Sequence, residues 1–349
     1  MKITVNDKVL EAGEGQTIFQ AARGSGIYIP TLCYHEKVGA AGKCRVCVVE
    51  IEGVRGLQTS CSVPVKEGMV VRTRTKTVLE AQKLIVDLLL SNGTHDCLSC
   101  LKSGKCELQT AAYYLGIERP SMRQAENEPN FDDSSAFIYV DRNKCISCGR
   151  CVAACQKNVV NEVLNFGYRG HGAEIVFDDD QLMGKSTCVQ CGDCVQMCPV
   201  GALTEKKARS KPRVWETHTV RTTCPYCGVG CQLHVHVKGE EAVRVTGVED
   251  GSPNKGHLCV KGRFGYDFPY SNDRLTTPLI RENGAFREAS WDEALDLVAS
   301  KFKKIIAESG PDAIAGVSCA RSLNENSYQM QKLFRAVFKT NNIDHCART

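Results

Sequence analysis

Cys145, Cys148, Cys151 and Cys155 are spaced C-x2-C-x2-C-x3-C, and Cys188, Cys191, Cys194 and Cys198 repeat that spacing. Thiolates at these intervals hold iron-sulfur cubes, and in such a double run the fourth cysteine of each half serves the cube of the other half. The spacing therefore predicts one 4Fe-4S cluster on Cys145, Cys148, Cys151 and Cys198, and a second on Cys188, Cys191, Cys194 and Cys155. Proline follows Cys198 as the bacterial two-cluster pattern requires, whereas Gln156 follows Cys155.

Three more constellations account for all but two of the remaining cysteines. Cys33, Cys44, Cys47 and Cys61 run C-x10-C-x2-C-x13-C, with Gly39 and Gly42 freeing the long loop to wrap a compact core. A 2Fe-2S cluster is predicted there, with structural zinc as the alternative. Cys97, Cys100 and Cys106 supply only three thiolates for a further 4Fe-4S cube, and His95 is the nearest fourth ligand. A neutral imidazole in place of a thiolate raises a cluster's potential. Cys224, Cys227, Cys231 and Cys259, spaced C-x2-C-x3-C-x27-C, make a fourth 4Fe-4S site, and the last of them opens CVKGR, setting Lys261 beside the cluster. That lysine reads equally as a solvated cation. Cys319, in an apolar strand context, is expected to pack in a core.

The rest of the composition fits this chemistry. The chain has 349 residues and 21 cysteines, most in C-x-x-C pairs that favour metal over cystine. Its formal charge of +4 counts the thiols as neutral, so a cluster-loaded chain is expected to be mildly acidic. The basic run KKARSKPR at 206–213 lacks interleaved aromatics and reads as a solvated linker, not a nucleic-acid surface. The N-terminus MKITVNDKVLEAG alternates like a strand and has no signal-peptide core, which predicts a cytoplasmic location. The longest apolar stretch, LIVDLLL, is interrupted by Asp87, so no direct membrane insertion is expected.

The elements that must position these residues divide the chain into modules. Residues 1–76 begin with a hairpin, ITVND-KVLEA, continue with a helix from Thr17 whose apolar face carries Ile18, Ala21 and Ala22, and include the strand VCVVEI. Residues 77–117 open with a helix over Val78 to Leu90, its apolar face at 84, 85, 86, 88, 89 and 90, stopping near Asn92-Gly93. A linker spans 118–136, the two-cube repeat 137–210, and the Cys224 module, with a hairpin of LHVHV and AVRV, 217–275. Residues 276–349 read as the opening of an α/β domain: a helix from Trp291, a buried-type strand AIAGVSC, then the helix ENSYQMQKLFRAVFKT. The fold class is α+β, a string of iron-sulfur modules ending in an incomplete α/β domain.

With these residues assembled, the chain resembles the N-terminal part of cytoplasmic molybdenum- or tungsten-dependent formate dehydrogenase alpha subunits, most specifically in TCPYCGVGCQL, GHLCVKGRFGYD and NNIDHCART. The resemblance implies a β-grasp 2Fe-2S ferredoxin domain, a module with one histidine and three cysteine ligands, and a two-cluster ferredoxin module. It also implies a 4Fe-4S module of the molybdopterin oxidoreductases before the start of a molybdopterin domain. The cofactors implied are one 2Fe-2S and four 4Fe-4S clusters with a Mo- or W-bis-molybdopterin guanine dinucleotide. Lys261 would lie between the Cys224 cluster and a pterin, passing electrons. The implied substrate is formate or CO2, and the implied partner a flavin- and NAD(P)-binding diaphorase-like subunit, a ferredoxin or a hydrogenase.

In relatives of the second module the histidine usually stands four residues before the first cysteine, where this chain has Gly93, so Asp96 or water rivals His95. The motif NNIDHCAR leads, one residue later, to the family's metal-binding selenocysteine or cysteine. A UGA codon read as a stop after Thr349 is therefore expected. A non-catalytic electron-transfer subunit, a complex I large subunit and an iron-only hydrogenase relative are the competing readings.

Overall fold

In a computed structural model, residues 1–122, 128–208 and 212–346 are described. The middle of the expected linker, the centre of the basic run and the final 347–349 of DHCART, with Thr349, lie outside the described residues. The chain divides into two units, Met1–His218 and Thr219–Thr349.

The first unit opens on hairpin β1 (Lys2–Val5) and β2 (Lys8–Glu11), followed by α1 (Ile18–Gly24). Thr17 caps α1: its side chain accepts from the Gln20 amide while Gln20 answers to the Thr17 amide. The buried face of α1, Ile18, Phe19, Ala21 and Ala22, closes over a sheet in the order β2-β1-β5-β3-β4, with β3 at Val48–Ile51, β4 at Gln58–Thr59 and β5 at Val70–Arg72. β1 and β5 pair in parallel and the other pairs are antiparallel. Ile3, Val5, Val49 and Val71 fill the core beneath.

Helix α2 (Lys76–Ser91) stops at Asn92, as the sequence suggests, but begins earlier than the expected Val78, on a Thr75 cap. Its buried face is different from the expected one. Val78, Gln82, Val86, Asp87 and Ser91 are inside, while Leu84 and Leu88 face solvent. Polar partners orient the helix: Gln82 donates to the Val48 carbonyl at 3.0 Å, and Asp87 accepts from the Ser121 amide at 2.9 Å. A buried amide or carboxylate left unpaired costs more than two half-exposed leucines.

After α3 (Glu107–Tyr114), the two-cube repeat is framed by a sheet of β6 (Phe131–Asp132), β7 (Ile138–Asp141) and β10 (Leu203–Glu205), in which Leu203 faces Val140. The ends of the repeat are thus hydrogen-bonded to each other. Between its halves lies an antiparallel hairpin, β8 (Leu164–Gly167) and β9 (Glu174–Phe177). The short helices α4 (Arg150–Ala153) and α5 (Asp193–Met197) carry the third cysteine of each run.

The second unit takes up the meander β11 (His218–Thr223) from its second residue, with β12 (Gln232–Lys238) and β13 (Glu241–Gly247) forming the expected hairpin, and continues through α6 (Val260–Phe264). A hairpin, β14 (Leu279–Glu282) and β15 (Ala285–Glu288), precedes α7 (Trp291–Ser309), capped by Ser290. Farther on, β16 (Gly316–Ser318) pairs in parallel with β17 (Ile343–His345) on either side of α8 (Asn324–Lys332). The second strand of this sheet, β17, was hidden in the polar motif NNIDHC. The strand AIAGVSC is shorter and more exposed than expected: Val317 is 75% accessible, and no residue of α7 is buried. Among the described residues, no helix is long and apolar enough to cross a membrane.

Candidate metal centres

Within each predicted constellation thiols act on one another electrostatically, although among the described residues no three His, Cys, Asp or Glu side chains are drawn close enough to hold a single metal ion. Cys33, Cys44, Cys47 and Cys61 are all buried at the edge of the first sheet and contact one another through their sulfurs. Hydrogen bonds from Cys44 and Cys61 hold the Cys33 thiol far below its ordinary value, at about 2, and Cys61 holds Cys47 at about 7. Protons so shared are those a metal core displaces. Ser60 donates to the Cys47 carbonyl at 2.7 Å and fixes the loop between the last two cysteines.

In the repeat, Cys198 acts electrostatically on Cys145, Cys148 and Cys151, and Cys155 acts on Cys188 and Cys194. The two runs therefore exchange their fourth cysteine in space. Burial pushes the thiols of Cys145 and Cys148 up to about 11 and about 12, and those of Cys151 and Cys194 well above normal. A cation among such groups would favour their ionised form. The halves share a backbone: Ser147 and Gln190 have φ of 51° and 55°, Gly149 and Gly192 of 80° and 71°. The Ser147 amide donates to Cys145 Sγ, and the Gln190 amide to Cys188 Sγ, each at 3.4 Å.

Burial and the neighbouring Cys100 thiol raise the pKa of Cys97, and burial with the Cys100 and Cys97 thiols raises that of Cys106. They are pressed against the repeat at several points. Lys144 Nζ reaches Asp96 at 2.9 Å, the Glu107 amide donates to the Pro199 carbonyl at 2.9 Å, and a Cβ on Gly201 would stand 2.5 Å from Cys100 Sγ. His95 is half-buried, and burial lowers its pKa. Its Nε2 lies 3.2 Å from the Leu89 carbonyl. A proton on Nε2 leaves the Nδ1 lone pair as the metal-binding atom. Asp96 is engaged by Lys144 and by the Ser99 hydroxyl, which makes it the less available ligand.

In the second unit Cys224 follows β11 and Cys231 precedes β12, joined by a 2.8 Å hydrogen bond from the Cys224 amide to the Cys231 carbonyl. Cys259 and Cys227 act electrostatically on both. Asn254 ties the loop bearing Cys259 to β12, accepting from the Gln232 amide at 2.7 Å and donating to the His257 carbonyl at 2.9 Å. Lys261 sits exposed in α6, two residues beyond Cys259, and Gly262 faces Cys224 Sγ.

Cys319 does not pack in a core. It is exposed at the end of β16, with its Sγ 3.7 Å from that of Cys346 at the end of β17. Parallel register, not apolar burial, sets its position. One partnership escaped the sequence: Arg150, only 2% exposed, grips Glu107 through two hydrogen bonds of 2.6 and 2.7 Å. An arginine inside a cysteine run was its only trace.

The comparisons with known proteins follow the same partition. Residues 1–76 match the 2Fe-2S iron-sulfur cluster binding domain, 82–121 the NADH-ubiquinone oxidoreductase-G iron-sulfur binding region, and 144–202 the 4Fe-4S dicluster domain. Residues 217–271 match the molybdopterin oxidoreductase Fe4S4 domain and 274–349 the molybdopterin oxidoreductase domain. This chain belongs to the iron-sulfur molybdopterin oxidoreductase family. Among its relatives, a G-type NADH-quinone oxidoreductase chain of Rhizobium meliloti is 39% identical over all of this chain and 40% of its own length. YrhE of Bacillus subtilis, provisionally named a formate dehydrogenase, is 35% identical over the same shares. A chain of an NAD+-reducing [NiFe]-hydrogenase crystal structure matches with a TM-score of 0.57 and 32% identity, covering 61% of this chain and 90% of its own. The chain spans about two fifths of the length of its curated relatives. Its matched regions are 2Fe-2S and 4Fe-4S binding domains and part of a molybdopterin oxidoreductase domain.

Proposed function

We propose that this chain is the electron-carrying N-terminal region of a molybdenum- or tungsten-dependent formate dehydrogenase or CO2 reductase, acting in the cytoplasm. The observation that carries the reading is in the second unit. The Cys224, Cys227, Cys231 and Cys259 thiols lie close enough to act on one another, exposed Lys261 follows Cys259 by two residues, and the molybdopterin oxidoreductase match begins at residue 274.

The 2Fe-2S cluster is assigned to Cys33, Cys44, Cys47 and Cys61. The four cubes are assigned to Cys97, Cys100, Cys106 with His95, to Cys145, Cys148, Cys151 with Cys198, to Cys188, Cys191, Cys194 with Cys155, and to Cys224, Cys227, Cys231 with Cys259. When bound, a Mo- or W-bis-molybdopterin guanine dinucleotide supplies the two-electron chemistry of formate and the clusters supply one-electron carriage. The chain's own residues bury or half-bury all of these thiols but Cys97 and Cys259, donate amides to sulfur and carry Lys261 two residues beyond Cys259. The partner is a flavin- and NAD(P)-binding subunit, a ferredoxin or a hydrogenase.

A second reading, a relay subunit without its own formate chemistry, is favoured by the 39% identity to an NADH-quinone oxidoreductase chain. Metal and pterin analysis of the natural full-length protein, followed by anaerobic addition of formate, separates them. Molybdenum or tungsten with pterin, and clusters reduced by formate, support the first. Iron alone, with clusters that formate leaves oxidised, overturns it in favour of the relay.

A further inference from the structure

The two halves of the cube repeat share backbone turns and amide-to-sulfur hydrogen bonds but differ in charge. Arg150 and Asp193 occupy the same place in their runs, between the second and third cysteines, each as the first residue of its short helix. Both are 2% exposed. Their surroundings carry the same opposition outward. Arg142 is tied to Cys145 by a 2.9 Å backbone hydrogen bond, and the Asp178 carboxylate accepts from the amide of Thr187, directly before Cys188, at 2.7 Å.

Arg150 also holds an unanswered donor. Its two terminal nitrogens bind Glu107, but its buried Nε–H has no acceptor among the described residues. A guanidinium N–H enclosed without an acceptor is costly. Arg150 stands directly before Cys151 in α4, and the thiols of Cys148 and Cys198 act on it electrostatically.

We propose that Arg150 and Asp193 set the two cubes at different reduction potentials, the Cys145 cube the higher, with the Arg150 Nε–H donating to sulfur of that cube. Reduction adds one negative charge to a cube, which a buried cation favours and a buried anion opposes. Glu107 offsets Arg150 only in part, because its carboxylate is half in water. The Cys145 cube is therefore the electron sink of the pair. It faces the neighbouring module through Glu107 and through the contact of Gly201 with Cys100.

The inference rests on the two-cube assignment, and one experiment tests the two separately. The cluster-loaded protein and its Arg150→Gln, Arg150→Lys and Asp193→Asn variants are titrated against potential with EPR detection, with iron and acid-labile sulfide measured on each. Two resolvable cube signals from the repeat in the unmodified protein establish the assignment; their absence sinks the assignment itself. Arg150→Gln is expected to lower the potential of the higher cube, and Asp193→Asn to raise that of the lower. Each shift is about tenfold in the reduction equilibrium, about 59 mV for one electron. Arg150→Lys should fall between Arg150→Gln and the unmodified protein. A separation that stays constant or widens in fully loaded variants overturns the inference. If Arg150→Gln fails to assemble its cube, the Asp193→Asn result decides.

Discussion

The His95 ring lies against the backbone of Gly93: a Cβ on Gly93 would stand 3.3 Å from His95 Nε2 and 2.3 Å from the Asn143 carbonyl oxygen. Position 93 is buried, and the Thr94 amide donates to that same Asn143 carbonyl at 3.0 Å. The displaced histidine and the glycine thus go together, since the space a side chain at 93 would need is already filled.

This pairing gives the first prediction. His95→Ala removes the nitrogen coupling of the Cys97 cluster in pulsed EPR, and adding Gly93→His to that variant does not restore it. Restoration of the coupling would show that position 93 can host the ligand.

Gly201→Ala drives a methyl into Cys100 Sγ, at 2.5 Å. Overpacking of this kind costs about 1–3 kcal/mol, and here it displaces a thiolate. Iron per chain should fall by about four atoms, the content of one cube, with the other EPR signals retained. Full iron content would contradict the close approach.

Asp132 should make the repeat sensitive to acid. Burial pushes its carboxyl up, but the Met183 amide and the Ser134 hydroxyl and amide outweigh that and hold it below its ordinary value. A depressed carboxylate contributes stability above its unfolded pKa and loses it as pH falls through the folded one. Asp132→Asn should therefore cost roughly 1.5–3 kcal/mol near neutral pH. The difference from the parent should shrink as pH drops below about 4, the range of a free carboxyl. Denaturant titrations at several pH values measure this, and a pH-independent difference would refute it.

Cys319 and Cys346 are exposed, with sulfurs 3.7 Å apart. Brief alkylation of the folded, cluster-loaded protein, read by peptide mass spectrometry, should label these two and spare the thiols assigned to clusters. A mild thiol oxidant applied first should protect both, because a small rotation brings the sulfurs to bonding distance. Protection of only one would show that they do not meet.

Lys261→Met should leave cluster content unchanged and slow reduction of the clusters by formate in the full-length protein by tenfold or more, about 1.4 kcal/mol in barrier. An unchanged rate in stopped-flow measurements would return Lys261 to the status of a surface cation.

Spacing alone grouped the thiols within each run, because C-x2-C pairs are too close in the chain to be held apart, and the C-x2-C-x2-C-x3-C repeat predicted the exchange of fourth cysteines. Local signals also placed the Thr17 helix start, the end of α2 at Asn92 and the β12–β13 hairpin. Only the tertiary structure decided which face of α2 is buried, since Gln82 and Asp87 find partners that lie 34 residues away in each case. It likewise decided that Cys319 meets Cys346, that His95 fills the space beside Gly93, and that Arg150 faces Glu107 from another module. These are pairings across distant segments, and hydrophobic periodicity carries no information about which polar groups will satisfy each other once the chain has closed.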